Sequence, residues 1–77
     1  MLKAYVLIEA EVGTTVKVVG LMKAIDGVVS CDMITGGYDA MVIVETLDMK
    51  TLSELLNGQL RAVPGVLKTI TCVAIPK

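Results

Sequence analysis

The chain contains no histidine, tryptophan or phenylalanine, and its only rings belong to Tyr5 and Tyr38. Without histidine there is no imidazole general base, no Ser-His or Cys-His nucleophile and no histidine metal ligand. Cysteine is nearly absent too: Cys31 and Cys72 stand far apart with no C-x-x-C spacing, which excludes zinc fingers. Basic residues are few (Lys3, Lys17, Lys23, Lys50, Arg61, Lys68 and Lys77) and scattered, and the formal charge is −1. No basic stripe exists to neutralise phosphates, so direct nucleic-acid binding is not expected. A long apolar run is also missing. The opening stretch Met1 to Ile8 resembles a signal segment, but its apolar run stops at Glu9, too short for export or for crossing a bilayer. No membrane association, no cofactor and a cytoplasmic location are the expectation.

What the chain has in quantity is aliphatic surface. Of its 77 residues, 55% are hydrophobic. A single domain this small hides only about 60% of its unfolded surface when alone. The excess is expected on a face that meets another copy of the chain.

Taken in order, residues 3–11 alternate as a strand, with Ala4, Val6, Ile8 and Ala10 on one face and Tyr5, Leu7, Glu9 and Glu11 on the other. Val18, Leu21, Met22 and Ile25 form a helical stripe between Thr14 and Ile25, with Thr14 or Thr15 as cap. Val28 to Thr35 and Ala40 to Thr46 read as strands around Gly36-Gly37. Asp48 is placed to cap a second helix carrying Leu52, Leu55, Leu56, Leu60 and Val63. Asn57-Gly58 is ordinarily a hairpin signal. One glycine costs a helix about 1 kcal/mol, less than burying the leucines returns, so the helix is expected to continue to Pro64-Gly65. Val66 to Ile75 completes the chain as a strand.

The segment Ala24-Ile25-Asp26-Gly27-Val28 recurs as Ala62-Val63-Pro64-Gly65-Val66, each copy at a helix-to-strand handover. Two βαβ halves give a ferredoxin-like βαββαβ fold of the α+β class: a four-stranded antiparallel sheet with two helices on one face. The first and third strands are then central. Cys31 and Cys72 fall on opposite edges, beyond disulfide reach, and both are expected as small buried apolar groups. The other sheet face calls for a second copy.

Among potential catalytic groups, Asp32, Asp39, Glu9 and Glu11 supply acids, and Tyr5 and Tyr38 phenols, but nothing assembles nucleophile, base and orienting group. A binding site is the better candidate. Gly36-Gly37 permits a tight reversal and leaves bare backbone N–H groups that a carboxylate can approach. Beside them, Tyr38 offers a phenol and Asp39 a charge for an ammonium. Thr69 and Thr71 share one face of the last strand and add hydroxyls. A plain hairpin turn, a turn-stabilising Asp39 and ordinary strand packing of the threonines are the competing readings.

Gly36-x-Tyr38-Asp39 between two strands, the leucine-striped helix, Leu60-x-x-Val63-Pro64-Gly65-Val66 and Thr69-x-Thr71 together resemble the C-terminal effector-binding and assembly (RAM) domain of the Lrp/AsnC transcription regulators. The resemblance spans most of residues 1–77. It implies dimeric α/β-barrel-like packing, homodimers assembling to octamers or decamers, and an amino-acid effector near the glycine turn at contacts between dimers. It carries a ligand-binding role to Gly36, Gly37, Tyr38, Asp39, Thr69 and Thr71. Met1 directly precedes the first strand, so the chain looks like a stand-alone form lacking the helix-turn-helix, one that partners a full-length Lrp/AsnC regulator. The rival readings are an ACT-like amino-acid sensor, a small dimeric α/β-barrel enzyme and a structural assembly module without ligand.

Overall fold

The computed structural model describes residues 1–76. Along the chain run β1 (Leu2–Ala10), α1 (Thr15–Lys23), β2 (Val28–Met33), β3 (Ala40–Thr46), α2 (Met49–Leu55), a π-helical turn (Leu56–Leu60) and β4 (Val66–Val73). The strands form one antiparallel sheet in the order β2-β3-β1-β4, with β1 and β3 central. This is the ferredoxin-like βαββαβ arrangement expected from the sequence.

Alternation in the central strands sets the two sides of the sheet. Ala4, Val6, Ile8 and Ala10 from β1, with Ala40, Val42, Val44 and Thr46 from β3, are all buried. They meet Val18, Val19 and Met22 from α1 and Leu52, Leu55 and Leu60 from the second helical segment. That cluster is the core, driven by removal of aliphatic surface from water.

The α1 stripe is rotated from the expected one. Val19 is buried while Leu21 is 39% exposed, and Ile25 lies beyond the helix end. The β-branched run Val18-Val19 packs onto the sheet, and the helix is too short to carry a stripe as far as residue 25. Thr14 takes the N-cap position without capping through its side chain. Its hydroxyl instead donates to the Glu11 carbonyl at 2.7 Å, which fixes the corner leading out of β1.

Asp48 does cap α2: its carboxylate accepts the Thr51 N–H at 2.8 Å. Hydrogen bonding from Thr51, first through its backbone N–H and then through its hydroxyl, holds the Asp48 carboxyl below its ordinary pKa. The helix runs through Asn57-Gly58, but by widening. Arg61 N–H donates to the Leu56 carbonyl at 3.0 Å, a five-residue step, and Leu60 thereby reaches the core with no exposure.

The internal echo has a physical basis. Val28 N–H donates to the Ile25 carbonyl and Val66 N–H to the Val63 carbonyl, at 3.1 and 3.2 Å. Each is a tight turn whose third residue has positive φ, +96° at Gly27 and +98° at Gly65. Gly65 is also sterically required. A Cβ there would lie 2.8 Å from Thr14 Oγ1 and 3.0 Å from Val18 Cγ2.

The sheet face away from the helices is built from two cross-strand rows. One runs Asp32, Met41, Leu7, Ile70, and the other Ser30, Ile43, Tyr5, Cys72. Directly opposed charges bracket these rows, Glu9 opposite Lys68 at one end and Lys3 opposite Glu45 at the other. Cys72, expected buried, is exposed here, whereas Cys31 is buried on the helix side. Lying on an edge strand with its side chain on the uncovered face, Cys72 has nothing from its own chain above it. The two cysteines occupy opposite edges of the sheet, and both are free thiols. β4 ends at Val73, short of the expected Ile75, which is 91% exposed.

Candidate ligand-binding site

The connection from β2 to β3 is closed by Ile34 N–H donating to the Asp39 carbonyl at 3.0 Å. Inside it, Gly36 has φ +119°, a conformation that favours glycine. Gly37 does not have positive φ, and a Cβ built on it meets nothing within 4 Å. The fold of the chain therefore gives no reason for glycine at position 37. Both glycines are exposed, while Tyr38 and Asp39 are half-buried.

Asp39 is held at three points. Its N–H donates to the Ile8 carbonyl at 2.9 Å and its carbonyl accepts from Ile34. Its Oδ2 accepts the Ala10 N–H at 2.8 Å. The carboxylate takes up a strand N–H just where β1 runs past β3, whose pairing ends at Ile8 and Ala40. The β1–β4 register also shifts there, between Glu9 and Ala10. Asp39 thus stabilises the end of β1 as well as standing beside the glycines.

Thr69 and Thr71 are half-buried and share the helix-facing side of β4. Thr69 shares a cross-strand row with Ile8 and Ala40, and Thr71 the next row with Val6 and Val42. Thr69 is thus two strand spacings, roughly 10 Å, from the residue that follows Asp39. Thr71 is one row farther away. One chain brings Gly36, Gly37, Tyr38 and Asp39 together and sets the threonine pair apart from them.

The remaining acids do not converge. Asp32 sits on the uncovered sheet face, Glu9 lies opposite Lys68, and Glu11 is exposed at the β1–α1 corner. Tyr5 carries the Lys3 ammonium 5.3 Å from its ring centre. Burial pushes the Cys31 thiol up, with a smaller lowering from the Lys23 charge and a smaller raising from the Asp32 charge. Among the described residues no three His, Cys, Asp or Glu side chains are grouped to hold a metal ion.

A cleft of about 460 Å³ not foreseen from the sequence opens at the opposite end of β3, between Asp26, Glu45, Thr46, Thr51, Glu54 and Gln59. It is assembled from four separate chain segments, the fourth being Met1, so no local pattern marks it. A smaller cleft of about 320 Å³ runs along β2 past Lys23 and Ser30. Neither includes the glycine turn.

The chain matches the family model described as the Lrp/AsnC ligand binding domain over residues 3–77. The chain belongs to the Lrp/AsnC ligand-binding domain family. A comparison with curated proteins gave no match. Among solved structures, a hypothetical protein from Pyrococcus horikoshii is 28% identical with a TM-score of 0.92, covering 100% of this chain and 93% of that one. A protein from Thermus thermophilus is 23% identical at TM-score 0.95, with 100% and 96% covered. A transcriptional regulator of Neisseria meningitidis, solved as a complex with L-methionine, is 18% identical at TM-score 0.86. It covers 99% of this chain, which spans 51% of that protein. Among the described residues of this Lrp/AsnC domain, no helix is long and apolar enough to cross a membrane.

Proposed function

We propose that this Lrp/AsnC domain is an amino-acid-sensing and assembly module rather than an enzyme, with its effector site at Gly36, Gly37 and Tyr38, held in place by Asp39. The observation that carries the reading is Gly37: exposed, without positive φ and with empty surroundings, directly beside a half-buried phenol. A side chain missing where the fold leaves room for one keeps the backbone N–H groups open to a carboxylate. Family membership supplies the ligand class, and the L-methionine on the Neisseria regulator is one instance of it.

The site in this proposal is completed by self-association. The uncovered sheet face, apolar along the central strands of its middle rows, polar at the β2 edge and with opposed charges at its ends, has the layout of a twofold interface with a polar rim. Homodimers form there and assemble further to octamers or decamers, which brings Thr69 and Thr71 of a neighbouring copy toward the turn. Acting in the cytoplasm, the module modulates a full-length Lrp/AsnC regulator by joining or competing with it.

Thermal unfolding against the twenty amino acids, with light scattering in parallel, tests the reading. A rise in Tm with one or a few of them is expected, accompanied by a change in assembly size. Gly37→Ala should leave the ligand-free Tm unchanged and reduce that rise. A panel flat for all twenty overturns the sensor reading.

A further inference from the structure

The hydrogen bonds of Asp39 lead away from the glycine turn along a continuous path. Asp39 Oδ2 accepts from Ala10 N–H at 2.8 Å. The next residue, Glu11, donates its N–H to the Gly65 carbonyl at 2.7 Å. The Glu11 carbonyl accepts both the N–H of Thr14 at 3.0 Å and its hydroxyl at 2.7 Å. Thr14 begins α1, its carbonyl accepting the Val18 N–H at 2.9 Å, and its side chain packs against Gly65 at the entry to β4. Five hydrogen bonds and one packing contact, joined by the Ala10–Glu11 peptide link, thus tie the β2–β3 turn to the first turn of α1 and to the start of β4.

We infer that Asp39 is a positioning residue: its side-chain oxygen fastens the β1–α1 corner to the glycine turn, so that occupation of the turn is read at Ala10, Glu11 and Thr14. This rests on the effector reading for its ligand, but the joint itself is a property of the free chain. A hydrogen bond to a carboxylate is stronger than one between neutral groups. Ala10 sits where β1 has lost β3 as a pairing partner, so without Asp39 its N–H is left unbonded in a part-buried setting. The geometry needs an oxygen acceptor at that position and does not need the negative charge.

Asparagine keeps the acceptor and removes the charge, whereas alanine removes both, so the two variants separate positioning from direct ion pairing. Amide hydrogen exchange is measured on wild type, Asp39→Asn and Asp39→Ala, without ligand and with an equimolar mixture of the twenty amino acids. Asp39→Ala is expected to speed exchange at Ala10 and Glu11 by at least about tenfold, while Asp39→Asn keeps most of the protection. The mixture should slow exchange at Ala10, Glu11 and Thr14 in wild type and Asp39→Asn but not in Asp39→Ala. Loss of protection throughout the Asp39→Ala chain, with Asp39→Asn intact, also supports the joint. Unchanged exchange at Ala10 and Glu11 in a folded Asp39→Ala protein overturns it. Asp39→Asn that keeps the ligand-free protection yet loses the amino-acid response as fully as Asp39→Ala also overturns it, and makes the carboxylate the effector's own ion partner. Absence of any wild-type response removes the effector reading, and the ligand-free comparison of the two variants still decides the joint.

Discussion

Gly65 and Gly37 both sit in turns, yet their neighbourhoods set opposite expectations. At Gly65 the backbone has φ +98° and the space for a Cβ is already taken by Thr14 and Val18. Gly65→Ala should cost about 2 kcal/mol, a sum of left-handed strain and overpacking, and chemical denaturation will show it as a lower midpoint. At Gly37 neither reason applies, so the same substitution acts on binding alone. The sequence distinguishes these glycines only in part. The repeated handover motif marked Gly65 as structural, and Gly36-Gly37 read as one unit. Only the folded backbone separates Gly36, which needs its conformation, from Gly37, which does not. Asp39 is a similar case. Proximity to the glycines was legible, but its bond to Ala10 joins residues 29 apart and has no local signature.

Of the two helices, α2 followed its sequence signals more closely than α1. Asp48 caps it, and the leucines at Leu52, Leu55 and Leu60 are buried. Because the cap holds the Asp48 carboxyl below its ordinary pKa, the folded state binds a proton there less readily than the unfolded chain does. Its contribution is therefore present above the unfolded carboxyl pKa and is lost as pH falls through the lowered folded value. Tm measured from neutral pH down to about pH 3 should fall less steeply in Asp48→Asn, which keeps a capping oxygen without a titrating charge. A fall as steep as wild type would assign the acid sensitivity to other carboxylates. The widened turn at Leu56–Leu60 and the rotated α1 stripe were not foreseeable from periodicity. Each adjusts a regular helix to a surface made by the rest of the chain, which the period of a single segment does not encode.

At the scale of the whole molecule, the uncovered sheet face remains to be accounted for. Its middle rows carry Met41, Leu7, Ile70, Ile43 and Tyr5, and Cys72 stands exposed at one edge. If two copies pack through this face, Cys72 is shielded in the dimer and open in the monomer. Thiol labelling should then be slow at high protein concentration and accelerate on dilution, while buried Cys31 stays unreactive until the chain unfolds. A Cys72 rate independent of concentration over the range where light scattering sees dissociation would place the interface elsewhere.

The order of elements and the central position of β1 and β3 were determined by the sequence itself. Two-residue alternation, the Asp48 cap and the repeated glycine handovers are local, and each forces its outcome over a few bonds. The course of hydrogen bonds from Asp39 to α1, the cleft beside Glu45 and the separation of Thr69 and Thr71 from the glycine turn were decided by tertiary structure. Those features depend on strand register and on segments distant in the chain meeting at one place, and no stretch of sequence carries that information alone.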